Sequence, residues 1–514
     1  MSLKIKNIIL LLVVCLLSVQ AQTDDVFNYD IQLTRQKGTT YGILNHISDI
    51  SGFMFMYDSK EISSNRTIKI PAGTYSLKEA IILATGDKNI NTKIYGNHIL
   101  IYKETQPQVS SQAPHLTSHL QPLTSIEGVV KERETGEPIP FSTIGIYETG
   151  IGTVANQDGK FLFKIPDSLK NRYIYFSHLG YKTQIIHASL LAENKTDIFL
   201  ETHYIPLETV IIRFINPQKL LNDMLDAINN NYYDKSHYLT TFYREGISGK
   251  RGFINLTEGI FQLFKTGYNN QNSDQLKMIK MRIISNQQKK DSVNIKFKAG
   301  LEACLTLDII KNLPDFLTFD NNNMYHYANT GKIMIDERLA HVISFEQKSD
   351  IKWPLYKGEL FIDSENYALL YAHFQIHPDF ISQSASTFVV KKSRNSEIIP
   401  QKASYSVSYK YLNGKYFINH IRGDLTFNIK KKKFLGNYTT VNTWFEMVTC
   451  NIDLLNVKRF SISEIQSTKT ILSEAKNAYD DKFWKNFNFI PPEEKLGDAI
   501  LRINSIIEEM KMNE

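Results

Sequence analysis

The chain has 514 residues, 42% hydrophobic and 11% aromatic, enough apolar material for several folded domains at ~100–200 residues each. Its formal charge of +6 is small for this length, and the Lys and Arg are interleaved with acids rather than gathered into a stripe, which excludes a nucleic-acid-binding protein. At the N-terminus, Lys4 and Lys6 precede an apolar core from Ile8 to Val19 and an A-x-A-like site at Val19-Gln20-Ala21, the pattern of an export signal over residues 1–21. Val14 before Cys15 is too large for a lipobox, so the expectation is cleavage after Ala21. No later run is long and apolar enough for a spanning helix, so the mature chain is expected in the periplasm or at the outer membrane, soluble or peripheral. Cys304 and Cys450 either pair or remain buried thiols, and the second reading is preferred.

Residues 22–104 read as a small α/β module. FNYDIQL alternates as a strand, and Ile43, Leu44, Ile47 and Ile50 share one helical face that stops at Gly52. Strands follow at Phe53 and Arg66. Ser76-Leu77-Lys78-Glu79 is a capping box that opens a helix ending at Gly86, and YGNHILIY closes as strand, turn and strand. Residues 105–125 form a Gln-, Ser-, Pro- and Thr-rich linker. His115 and His119 stand four apart in it, but Pro114 and Pro122 oppose the helix that would present them to a metal.

Residues 126–203 are short β-rich runs punctuated by Gly, Asp and Pro, the pattern of a β-sandwich. Phe161, Phe163 and Ile165 alternate after a turn at Asn156-Gln157-Asp158-Gly159. The sequences GVV followed by GEPIPFSTI, then GTVANQDGKFLFKIP, then YFSHLGYKT, resemble the carboxypeptidase regulatory-like domain. This prealbumin-like sandwich precedes outer-membrane transporters and occurs in surface proteins of Bacteroidetes. The resemblance implies an accessory module rather than catalysis. The preceding module, through AGTYSLKEAIILAT and YGNHILIY, resembles the secretin and TonB short N-terminal domain, which implies a protein-interaction surface. Pro206 to Arg213 resembles the strand that joins such a sandwich to a transporter plug, but residues 214–514 are too few for a plug and a barrel of ~22 strands.

Residues 214–514 read as a C-terminal β-rich domain. A helix starts at Pro217 with Leu220, Leu221, Met224, Leu225 and Ile228 on one face. Long alternating strands follow, with turns expected at Asn329 to Gly331, Asp363 to Asn366 and Asn413-Gly414. They suit an antiparallel curved sheet or half-barrel with flanking helices. Lys430-Lys431-Lys432-Lys433 reads as a solvated hairpin tip, with anionic lipid headgroups as the alternative. A charged amphipathic helix is expected over Glu493 to Lys511. The tail resembles one that accompanies this sandwich in Bacteroidetes proteins of unknown function, and its architecture resembles lipoprotein-carrier half-barrels. The fold expected for the whole chain is therefore multi-domain, α+β and mainly β.

Catalytic signatures are absent. No His is followed by Glu at metallocarboxypeptidase spacing, and HExxH, G-x-S-x-G, P-loop and GxGxxG patterns are missing. No cofactor and no metal are expected. His373 and His377 stand around a strand end and read as surface histidines. Arg244-Glu245 and Asp336-Glu337-Arg338 read as strand-end ion pairs, and paired carboxylates would meet only in space. The tail is rich in tyrosine. Tyr325, Tyr327, Tyr405 and Tyr409 are candidates for lining a lipid, glycan or peptide groove, with half-buried sheet residues as the plainer reading. The expected function is non-enzymatic protein interaction or ligand binding in the envelope. The alternatives are a regulatory or sensing partner of a TonB-dependent outer-membrane transporter, and a hydrolase with its site in the half-barrel.

Overall fold

A computed structural model describes residues 27–103, 122–203, 216–472 and 487–510, apart from short stretches inside these ranges. The export signal, most of the linker with both its histidines, the 206–213 strand and Lys432-Lys433 lie outside the described residues. The chain forms two compact units, Met1–His115 and Leu116–Glu514.

The first unit contains β1 (Asp30–Leu33), β2 (Gln36–Thr39), α1 (Thr40–Ser51), β3 (Met54–Tyr57), β4 (Thr67–Ile70), β5 (Gly73–Ser76), α2 (Leu77–Thr85), β6 (Ile90–Tyr95) and β7 (His98–Lys103). Its sheets are β1-β5, β2-β4 and β3-β7-β6, with β3 parallel to β7. The Thr39 hydroxyl accepts from the Gly42 N–H to start α1, and Gly52 ends it in the left-handed region at φ 75°. The expected capping box at Ser76 and Glu79 is present at α2. Ile43, Leu44, Ile47, Ala80, Ile81 and Ala84 pack between the helices and strands. Periodicity misses β2 and β5, whose four residues each are too short and polar to show alternation.

The second unit begins with the sandwich: β8 (Leu123–Glu132), β9 (Thr143–Ile146), β10 (Gly152–Val154), β11 (Lys160–Pro166), β12 (Tyr173–Ser177), β13 (Gln184–His187) and β14 (Thr196–Leu200). The sheets β10-β9-β12-β13 and β11-β8-β14 enclose Ile126, Val130, Ile144, Phe161, Phe163 and Phe176. The β10–β11 turn is built by Asn156, whose Oδ1 accepts from the Asp158 and Lys160 N–H groups, and by Gly159 at φ 69°.

After α3 (Pro217–Asp226) come β15 (His237–Gly249), β16 (Gly252–Lys265), β17 (Gln275–Asn286), β18 (Ile295–Phe297), α4 (Gly300–Thr306), β19 (Tyr325–Ile335), β20 (Arg338–Gln347), β21 (Tyr356–Asp363), β22 (Leu369–Ile376), β23 (Val389–Lys392), β24 (Ser396–Leu412), β25 (Lys415–Lys431), β26 (Thr439–Asp453) and β27 (Ser505–Met510). Eleven of these strands form one open sheet, in the order β19-β20-β21-β22-β24-β25-β26-β15-β16-β17-β27, antiparallel throughout. One face is dry. Leu220, Leu221 and Met224 of α3, Leu301 and Cys304 of α4, and Ile309, Ile310, Phe316 and Leu317 beyond it pack onto Leu239, Tyr243, Ile343, Phe374, Val407 and Ile421. The opposite face carries the sandwich, with β10 lying on β26 through Val154, Phe242, Val448 and Cys450.

The expected mainly-β, multi-domain fold with an open antiparallel sheet and flanking helices is the one observed. Two local expectations are corrected. Asn329 to Gly331 is not a turn but an irregularity inside β19, and the chain reverses at Asp336-Glu337, both at positive φ. The Asn-Thr-Gly signal relieves a strand instead of ending it. Within the expected terminal helix, residues 494–504 lie outside the described residues and Ser505–Met510 is a strand paired to β17. The open edge of β17 supplies partners for its backbone, and β-branched Ile506 and Ile507 favour the extended state.

Candidate functional site: a polar cleft at the end of a buried charge ladder

Alternation along β15 sends Tyr243 and Glu245 to the helix-covered face and Arg244 to the sandwich-covered face. Arg244 therefore does not pair with its neighbour Glu245, as a strand-end reading expected. Its register partners are Glu258 on β16 and Glu446 on β26, Glu258 faces Arg282 on β17, and Glu446 faces Arg422 on β25. The row Arg282–Glu258–Arg244–Glu446–Arg422 alternates in sign across adjacent strands. Arg244 Nε and Nη2 donate to Glu258 Oε1 at 2.9 and 2.7 Å, and Arg282 Nε donates to Glu258 Oε2 at 2.6 Å. Arg422 Nη1 donates to Glu446 Oε2 at 3.3 Å, and Arg244 Nη1 stands 3.6 Å from Glu446 Oε1. Burial raises both glutamates, and their cationic neighbours more than reverse it. His420, Arg422 and Arg244 hold Glu446 at about 2, and Arg282 and Arg244 hold Glu258 below the usual carboxylate range. His420 Nε2 stands 3.5 Å from Glu446 Oε2.

At its Arg422 end the ladder opens into a cleft of about 300 Å³ between sandwich and sheet. Phe141 and Gln157 come from the sandwich, and Lys402, Arg422, Asp424, Leu425, Thr426, Asn442, Thr443 and Trp444 from β24, β25 and β26. Arg422 clamps Asp424 through two hydrogen bonds of 2.9 and 2.8 Å and lies 4.6 Å from the Phe141 ring. Phe141 is held at φ 56°, a conformation that costs of order 1–3 kcal/mol outside glycine and that marks functional sites when the surroundings enforce it. The Trp444 indole lies against Gly246, where a Cβ would come within 2.1 Å of the ring, so only glycine permits that approach. Trp444 Nε1 is buried with no acceptor, and Lys402 is exposed with no ion-pair partner among the described residues. The wall thus offers an ammonium, a carboxylate, an amide and hydroxyls beside two rings, one of them carrying the buried indole N–H.

The four candidate tyrosines lie on the other face. Tyr325, Tyr405 and Tyr409 are buried and Tyr327 is half-buried. Tyr327 donates to the Phe316 carbonyl at 2.8 Å, and Tyr409 donates to Asp308 Oδ1 at 3.0 Å while accepting from the Ile310 N–H. Phe316 stacks on Phe345 at 4.4 Å and meets Tyr325, Tyr356 and Phe374 within 6.3 Å. The tyrosines line a concavity that the chain's own residues 300–317 fill. His373 is exposed and His377 meets Glu346 at 3.1 Å. No cluster of three His, Cys, Asp or Glu side chains suited to a metal occurs among the described residues. Cys304 and Cys450 are free and buried, as preferred. Burial pushes the Cys304 thiol well up and the Cys450 thiol to about 11, so neither is primed as a nucleophile.

A sequence signal for the ladder exists. FYREG, LTEGI, KMRII, HIRGD and WFEMV each place a charged residue (Arg244, Glu258, Arg282, Arg422 and Glu446) inside a largely apolar strand, where it must be paired to be buried.

No curated protein matches this chain in sequence. Among solved structures, a protein described as an outer membrane lipoprotein-sorting domain from Vibrio parahaemolyticus is similar at 9% identity, over 48% of this chain and 96% of that one, with a TM-score of 0.24. A LolA superfamily protein from Nitrosomonas europaea is similar at 8% identity, over 48% and 96%, with a TM-score of 0.20. A DUF1329 family protein from Desulfovibrio piger is similar at 10% identity, over 49% and 100%, with a TM-score of 0.20. Scores this low carry no argument about the fold or ligand of this chain. The sandwich is different, because residues 126–212 match the CarboxypepD_reg-like domain family.

Proposed function

We propose that this is an exported, non-enzymatic binding protein of the Gram-negative envelope, and that its seam cleft takes a polar ligand with a ring-shaped or flat face, of the glycan or peptide kind. The observation that carries the reading is Trp444, whose buried Nε1–H has no acceptor on the wall of a cleft rich in other hydrogen-bonding groups. A buried donor left unpaired costs roughly 1–3 kcal/mol, and a ligand oxygen that reaches it by shifting the ring recovers that cost. Lys402, Asp424 and Asn442 would fix the ligand's orientation, with Phe141 as the facing ring. Glu446, held at about 2, is a poor proton donor near neutral pH, which favours binding over acid–base chemistry. The filled concavity favours a glycan or peptide over a lipid.

Calorimetric titration of the mature chain with soluble oligosaccharides and short peptides tests this. The expected result is a ligand whose affinity falls at least tenfold in Trp444→Ala. A ligand bound equally by Trp444→Ala and Lys402→Ala, or turnover abolished by one substitution elsewhere, would sink the proposal. A second reading, a sensing partner of an outer-membrane transporter, draws on the match at residues 126–212. Recovery of a transporter with the native protein from solubilised envelopes distinguishes it.

A further inference from the structure

We propose that the seam between sandwich and large sheet also contains a peptide-recognition groove, that residues 488–492 occupy it in cis, and that it accepts the same sequence offered in trans. Asn488 behaves as a one-residue strand. Its Oδ1 accepts from the Lys164 N–H at 2.5 Å and its Nδ2 donates to the Lys164 carbonyl at 2.9 Å, which pairs the outer edge of β11. The Phe489 ring lies between the Lys164 ammonium at 4.8 Å and the Arg282 guanidinium at 5.6 Å. Ile490 is 1% exposed, against Val154, Phe242, Val448 and Cys450. The carbonyls that follow are read by donors alone. Arg244 donates to the Ile490 carbonyl and, at 3.3 Å, to that of Pro491, and Asn156 Nδ2 donates to the carbonyls of Pro491 and Pro492 at 3.1 and 3.3 Å.

Sequence and groove fit each other. Pro491 and Pro492 have no N–H and favour an extended backbone, so a site made only of donors leaves nothing on them unsatisfied. The donors are also preset by contacts that do not involve the segment. Asn156 is fixed through its own Oδ1 by the Asp158 and Lys160 amides, and Arg244 is neutralised and oriented by Glu258 and Glu446. A site already charged, oriented and balanced without its occupant is what recognition requires, because little ordering remains to be done on binding. This groove is distinct from the seam cleft and does not depend on the ligand proposed for it.

The test keeps the full chain and places protease sites within residues 473–486 and 494–504, so that the segment is freed from the strand Ser505–Met510 paired to β17. The folded protein is cut, and a fluorescent peptide of residues 487–493 is added in excess. The expected result is exchange. The labelled peptide enters, unlabelled peptide displaces it, a peptide with Ile490→Asp does not, and Asn156→Ala in the protein weakens binding about tenfold, the loss of one to two hydrogen bonds. Failure of the labelled peptide to enter a cut protein that keeps its circular dichroism would overturn the inference. So would loss of the fold on cutting, because the segment would then be core rather than ligand.

Discussion

Arg244 on β15 and Glu258 on β16 face each other across one rung of the sheet, joined by two hydrogen bonds to a single carboxylate oxygen, with neither side chain more than 1% exposed. Glu258 serves two arginines at once, since Arg282 holds its other oxygen at 2.6 Å. Removing it takes a shared carboxylate from two guanidinium groups, one of them wholly buried. Breaking such a pair from one side costs ~3–5 kcal/mol, more than the pair itself contributes over an apolar pair. Glu258→Ala is therefore expected to lower the unfolding free energy from urea titration by that amount at pH 7. A double change of Arg244 and Glu258 to Met and Leu should recover part of the loss. A Glu258→Ala protein as stable as the parent would show that the ladder is not closed to water.

The same ladder sets an acid limit on stability. Glu446 is depressed to about 2 in the folded chain from an ordinary value near 4.5, so its contribution is complete above about 4.5 and is lost as pH falls toward 2. That contribution is on the order of 3 kcal/mol. His237 acts in a higher window. Burial lowers it to about 4, so the unfolded chain takes up a proton from about pH 6.5 downward that the folded chain refuses until about 4. Stability should fall in two stages, first between about 6.5 and 4 and then below 4.5. Urea unfolding across pH 3 to 8 should show His237→Gln flattening the first stage and Glu446→Gln the second. A single transition unaffected by either change would contradict the assignment.

Much of this architecture is legible in the chain. Alternation at Lys160–Ile165 and along the late hairpins gives the strands, and Asn413-Gly414, both at positive φ, form the two-residue turn their residue types favour. The ladder is not legible in the same way. Its members come from residues 244–282 and 422–446, and only the insertion of β15 between β26 and β16 sets them in one row. Spacing along the chain carries no information about that pairing. The shared face of Tyr405 and Tyr409 follows from alternation, but not that Phe316 and Leu317, from an aperiodic stretch, would fill the space before it. Asn488 to Pro492 shows no period because it is held by side chains of other elements rather than by its own ladder.

Gly246 separates the cleft's shape from its chemistry. Gly246→Ala adds only a methyl group, yet that carbon would meet the Trp444 ring at 2.1 Å. The indole must lift, with an overpacking penalty of ~1–3 kcal/mol. Gly246→Ala should therefore weaken the ligand found by titration while leaving Lys402, Asp424 and Asn442 in place. A crystal structure of the variant should show the ring displaced from β15. Unchanged affinity in a protein with a displaced ring would remove Trp444 from the binding wall.

Lys410 presents the opposite case from Glu258, a buried charge whose removal should help. It is 6% exposed beneath the sandwich, and its ammonium donates to the Gly150 and Thr449 carbonyls at 3.0 and 3.2 Å, with no carboxylate among its hydrogen-bond or ion-pair partners in the described residues. Burial brings it down to about 8 from an ordinary value near 10.5. The unfolded chain thus binds a proton more tightly than the folded one, and stability rises as pH climbs from about 8 to 10.5. At pH 7 the charged form costs the fold on the order of 3 kcal/mol. Lys410→Met removes that cost but leaves two carbonyls without their donor, a loss of about 1 kcal/mol each. The difference favours the variant by roughly 1 kcal/mol at pH 7, and since the charge penalty fades with rising pH, the sign should reverse toward pH 10.5. Thermal unfolding of both proteins at pH 7 and pH 10 checks this. A Lys410→Met protein less stable than the parent at both pH values would mean that the ammonium's two carbonyl bonds outweigh its desolvation, and that it clamps the sandwich to the sheet.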